Sequence, residues 1–102
     1  MTLSKLDVHL LNSLCDDYEN VESIASDLEA AMSSVPSAET IIDRLSFLWS
    51  EDLIEVYKYD VSKTEFRREA KAADVDFRTD WYFITQRGRE ELDLNWGEEE
   101  AG

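Results

Sequence analysis

The sequence predicts an α+β domain, and three observations carry that prediction. Apolar residues recur at helical spacing through the first fifty positions, as in Leu3, Leu6, Leu10 and Leu14 and again in Ile41, Leu45 and Leu48. From Leu53 to Tyr59 the period shifts toward alternation, and a returning strand expected over Asp80 to Thr85, with the aromatic run Trp81-Tyr82-Phe83-Ile84, pairs with it. A final helical stretch, including Leu92, follows that second strand.

The elements follow in order along the chain. A first helix is expected over residues 4–17, with Leu11 and Tyr18 at the border of its leucine stripe. Ser4 and Asp7 form a capping-box pattern at its start. Asn20 caps a second helix over residues 21–32, whose stripe is Val21, Ile24, Ala25, Leu28 and Met32 or Ala31. The segment Ser33-Ser34-Val35-Pro36 is a turn, because Pro36 disfavours helix in the residue before it. Ser37 then caps a third helix, which ends near Glu51-Asp52 and runs almost directly into the first strand. Thr85 caps the last helix, expected to reach about Asn95.

The stretch between the strands, residues 60–79, is too long for an ordinary hairpin turn. Ser62 and Glu65 repeat a capping-box pattern, and Phe66, Ala70 and Ala73 follow at helical spacing. The expectation is an inserted short helix exposing Arg67, Arg68 and Lys71, with a long wing as the alternative.

With 102 residues, 43% hydrophobic and 11% aromatic, the chain is one domain with a modest core. The domain is placed at residues 1–96 and an acidic flexible tail at 97–102. Met1 to Leu14 is interrupted by Ser4, Lys5, Asp7 and His9, unlike a signal peptide, and no apolar run is long enough to span a membrane. A lone Cys15 suits a reducing compartment. The expected location is cytoplasmic.

Charge is the feature that complicates function. The formal net charge is -14, but residues 58–78 carry six cations against five carboxylates. Residues 1–57 hold only Lys5 and Arg44 against twelve carboxylates. Such acidity fits a solvated surface or a salt-adapted host, and the sequence supports both readings.

Residues 40–56, TIIDRLSFLWSEDLIEV, resemble the recognition-helix-and-strand signature of winged helix-turn-helix transcription regulators, the PadR, MarR and ArsR groups. Leu45, Leu48 and the Leu53-Ile54 entry to the strand carry the likeness. Residues 82–92, YFITQRGREEL, are similar to the second wing strand and following helix of those regulators. The likeness covers Leu6 to Leu92 and implies a winged helix-turn-helix: three helices, a β-hairpin wing with a long insert, and a C-terminal helix. Asp52 stands where those families usually have glycine. Their DNA-facing helix is usually rich in basic and amide side chains, whereas here its outward face offers Ser37, Thr40, Asp43, Arg44 and Phe47.

Two functions follow. In the first, the chain is a small DNA-binding transcription regulator, a homodimer whose third helix enters the major groove of double-stranded DNA. Ser37, Thr40 and Arg44 would contact DNA, while Lys58, Lys63, Arg67, Arg68, Lys71 and Arg78 would grip its backbone. In the second, an acidic winged helix serves as a protein-interaction module without DNA binding. Phe47, Trp49 and Trp96 are then candidate interface anchors, with Phe47 exposed, although Trp49 and Trp96 also suit the core.

Catalysis is not expected. One His and one Cys are too few for a zinc or thiol-histidine site, and Gly88, Gly97 and Gly102 make no phosphate loop. His9 lies opposite the leucine stripe and reads as a surface residue. No cofactor or metal is called for.

Overall fold

The computed structural model describes residues 3–32, 34–69 and 75–101, with side chains as far as Trp96. Its elements are α1 (Lys5–Ser13), α2 (Val21–Ala31), α3 (Ala38–Ser50), β1 (Ile54–Asp60), β2 (Glu65–Arg68), β3 (Trp81–Ile84) and α4 (Gln86–Ala101). The strands form one antiparallel sheet in the order β2-β1-β3.

Each helix starts where the sequence supplies a cap. The Ser4 hydroxyl accepts from the Asp7 N–H while the Asp7 carboxylate accepts from the Ser4 N–H, a reciprocal box. Asn20 and Ser23 repeat the device for α2, and Ser37 accepts from the Thr40 N–H to start α3. The first helix stops at Ser13, four residues short of the expected end, and α4 continues past Asn95 to Ala101.

The join of α3 to β1 is a Schellman motif. The Leu53 N–H donates to the Leu48 carbonyl at 3.0 Å and the Asp52 N–H to that of Trp49 at 3.1 Å. This geometry places Asp52 at φ 63, the left-handed region that favours glycine. Both Leu48 and Leu53 are fully buried, so the apolar contact typical of the motif is present. Thr85 then ties the start of α4 to the same join: its hydroxyl donates to the Asp52 carbonyl and accepts from the Gly88 N–H. A Cβ on Gly88 would meet the Leu53 carbonyl oxygen at 2.1 Å, so glycine is required for this close approach.

The core lies between the helices and one face of the sheet. Leu10, Leu11, Leu14, Ile24, Leu28, Ile41, Leu45 and Leu48 meet Ile54, Val56, Tyr82 and Ile84. Glu19, between α1 and α2, exchanges two backbone hydrogen bonds with Tyr82 and extends the sheet by a single bridge. The opposite sheet face is aromatic. Tyr18 stacks on Phe66 at 4.1 Å and touches Tyr57 and Phe83, while Tyr59 and Trp81 flank Phe66.

The inserted helix expected after β1 is not formed at Glu65–Arg68, which is a strand paired to β1 with Phe66 opposite Tyr59. Asp60 is the physical reason. Its carboxylate accepts from the Ser62 N–H and hydroxyl and from the Lys63 N–H, closing a turn rather than capping a helix. Thr64 completes the reversal at φ 53. The hairpin β1–β2 is therefore the wing, and the remainder of that expectation, on Ala70, Lys71 and Ala73, lies outside the described residues. β3 returns beside β1 with Val56 opposite Tyr82, as the alternation implied.

Candidate nucleic-acid interface

In a helix-turn-helix the second helix of the pair is the one offered to the groove, and here that is α3. The buried row Ile41, Leu45 and Leu48 fixes its rotation, turning Glu39, Thr40, Asp43 and Ser46 to solvent. β1 packs against it, and an open groove of about 650 Å³ runs between α3 and residues 75–78, lined by Glu39, Ile42, Asp43, Lys58, Phe77 and Arg78.

The expected α3 contacts are largely occupied within the molecule. Arg44 makes a two-pronged bond to Asp7, Nε to Oδ1 at 2.8 Å and an Nη to Oδ2 at 2.7 Å. The Asp7 side chain is 0% exposed, so a charge introduced by the first helix is matched by the third. Hydrogen bonding to Asp7 raises the Arg44 pKa further above its already basic value. The same guanidinium lies 4.4 Å from the centre of the Phe47 ring. Ser37 and Thr40 are bonded to one another through the cap, with their hydroxyl oxygens 3.0 Å apart.

Cations of the sheet and its loops divide into paired and outward groups. Lys58 binds both carboxylate oxygens of Asp80 at 3.0 and 2.9 Å, and that bond raises its pKa. Arg78 pairs with Glu39 on α3, and Arg68 approaches Glu55 at 3.4 Å. Lys63 and Arg67 stand exposed on the wing. Lys71 lies outside the described residues. The wing thus brings Lys63, Arg67 and Arg68 together on one hairpin, while Arg44 and Lys58 serve mainly to neutralise buried carboxylates.

The candidate interface aromatics are more enclosed than expected. Phe47, expected to be exposed, is half-buried beneath Arg44. Trp49 is half-buried against Phe77, ring centres 5.6 Å apart. Trp96 meets His9 edge-on at 6.1 Å, so His9 is half-buried rather than a plain surface residue. Sequence reasoning missed Asp7 as the partner of Arg44 and Tyr18 as the centre of the aromatic face. Among the described residues no group of three or more His, Cys, Asp or Glu side chains could hold a metal ion, and no helix is long and apolar enough to cross a membrane.

No family model matches the chain, and no curated protein matches its sequence. Solved structures do. A PadR family transcription regulator from hypervirulent Clostridium difficile is similar with a TM-score of 0.69 and 18% identity, over 93% of this chain and 86% of that one. A transcriptional regulator from Clostridium thermocellum gives 0.68 and 17%, over 98% and 90%. A PadR-like transcriptional regulator from Bacillus cereus gives 0.65 and 21%, over 94% and 84%. Sequence identities this low speak to architecture, and the architecture is shared over nearly the whole chain: this protein has the winged-helix fold of the PadR-type regulators.

Proposed function

We propose that the chain is a DNA-binding transcription regulator without enzymatic activity, acting in the cytoplasm as a homodimer on double-stranded DNA. The observation that carries this reading is the exposure of Thr40, Asp43 and Ser46 on α3 together with the exposed Lys63, Arg67 and Arg68 on the hairpin that β1, packed against α3, begins. The matched regulators of the same architecture support the assignment. Backbone grip falls to the wing, because phosphate contacts need cations and α3 offers none that is uncommitted among the described residues. Ser37 and Thr40 would add hydrogen bonds to phosphate or sugar from the start of α3.

The test is a titration of mixed-sequence duplex DNA followed by fluorescence anisotropy at about 50 and about 200 mM KCl. Binding is expected to weaken steeply with salt. Changing Lys63, Arg67 and Arg68 together to Ala is expected to lower the salt slope by between two and three units, at roughly 0.9 per phosphate contact. No binding at the lower salt would overturn the reading and return the chain to the protein-module alternative. Sedimentation of the free protein tests the dimer.

A further inference from the structure

We infer that Asp43 reads cytosine in the DNA site, an inference that rests on the proposed DNA-binding function. The argument is one of elimination along the outward face of α3. Ser37 and Thr40 are held by the cap, Glu39 is paired with Arg78, Arg44 is paired with Asp7, and the Ser50 hydroxyl donates to the Phe47 carbonyl. Among the described residues, Asp43 and Ser46 are the polar side chains of that face left without a bonded partner. Ser46 can donate or accept, so it fits any base edge.

Asp43 cannot. At 100° per residue it lies almost opposite the buried Ile41-Leu45-Leu48 row, at the centre of the outward face and one turn into the helix. Recognition helices make their base contacts from this N-terminal half. An ionised carboxylate there only accepts hydrogen bonds, and it is repelled by phosphate and by the guanine N7 and O6 acceptors. In the major groove, cytosine presents the N4 amino donor without the adjoining N7 acceptor that adenine carries. A carboxylate facing the groove therefore discriminates strongly, whereas the wing cations contribute grip without sequence information. The acidic outward face, which opposes general DNA affinity, becomes the source of base selection.

The experiment selects binders from duplexes with a randomised core, using the wild type, Asp43→Asn and Asp43→Ala at low salt. The wild-type consensus is expected to contain a cytosine preferred over the other bases by about tenfold, within the range for one good base contact. Asp43→Ala is expected to lose that preference while keeping the rest of the consensus, and to bind mixed-sequence duplex more tightly than the wild type. Asp43→Asn is expected to move the same position toward adenine, whose N6 and N7 suit an amide. An unchanged consensus in Asp43→Ala, with binding intact, overturns the cytosine assignment and leaves the DNA-binding function standing. Absence of DNA binding by all three proteins overturns both.

Discussion

Arg44 on α3 and Arg68 on the wing both sit beside a carboxylate, but the carboxylates differ in their access to water. The side chain of Asp7 is 0% exposed, that of Glu55 35%. Lys58 falls between them, since its partner Asp80 is 8% exposed, and Arg78 lies at the far end, with Glu39 at 70%. An ion pair with a buried member cannot be opened without stranding a charge in the interior. One whose members are both wet can exchange its partner for a phosphate at little cost. The third helix has thus used its cation for folding, whereas the wing cations stay in water. A count of Lys and Arg cannot distinguish these uses.

The comparison breaks first at Arg44. Replacing it by Ala leaves Asp7 fully buried with, among the described residues, the Ser4 N–H as its remaining partner. The expected loss is about 3 kcal/mol, at the low end for a broken buried pair because the Arg44 side chain is itself 35% exposed. Urea denaturation measures it. The double variant Asp7→Leu, Arg44→Met is expected to recover most of that loss, since it removes the stranded charge. If Arg44→Ala unfolds at the wild-type urea concentration, Arg44 is not structural and its place as a DNA contact is restored.

Lys58 is the intermediate case. Lys58→Ala removes two bonds to Asp80, but the Asp76 N–H still donates to that carboxylate. The expected loss is about 1 kcal/mol, for a charge-assisted bond discounted for the exposure of the ammonium. Its pH dependence has a definite sign. Asp80 holds the Lys58 pKa above the ordinary 10.5, so the stabilisation is complete below that value and drains away as alkali removes the proton. The stability gap between wild type and variant is expected to close in strong alkali. A gap that widens there would show that the bond to Asp80 is not what Lys58 contributes.

Much of this arrangement was legible in the sequence, and the exceptions have physical causes. The caps at Ser4, Asn20 and Ser37 are local, so the residue and its position within three neighbours define them. The helix-to-strand join at Asp52 followed from the change of apolar period, and the φ of 63 there is the left-handed conformation that favours glycine. The wing was misread because Ser62 and Glu65 satisfy a helix-start pattern, and only the turn drawn in by Asp60 decides against it. A signal for Asp7 did exist. It stands four residues after Leu3, three before Leu10 and seven before Leu14, within the stripe that α1 buries. A carboxylate in that stripe requires a cation from elsewhere in the chain, and residues 1–57 contain only Lys5 and Arg44. Which of the two answers is a matter of tertiary packing.

The smallest stability effect sharpens the comparison most. Arg68→Ala is expected to change stability by less than about 0.5 kcal/mol, because its 3.4 Å approach to Glu55 is largely in water. Tyr57 retains its own bond to Glu55 at 2.9 Å, and the Tyr57 phenol, pushed up to about 12 mainly by burial, stays protonated through the neutral range. The aromatic sheet face is therefore expected to keep its packing, readable as an unchanged near-ultraviolet circular dichroism spectrum. The same substitution is expected to lower the slope of log affinity against log salt by about 0.9. Glu55→Gln sets the opposite condition: it releases Arg68 from its carboxylate, so DNA binding at low salt is expected to strengthen. If Arg68→Ala instead destabilises the fold as much as Lys58→Ala does, the wing pair is structural, and burial of the carboxylate does not separate the two kinds of cation.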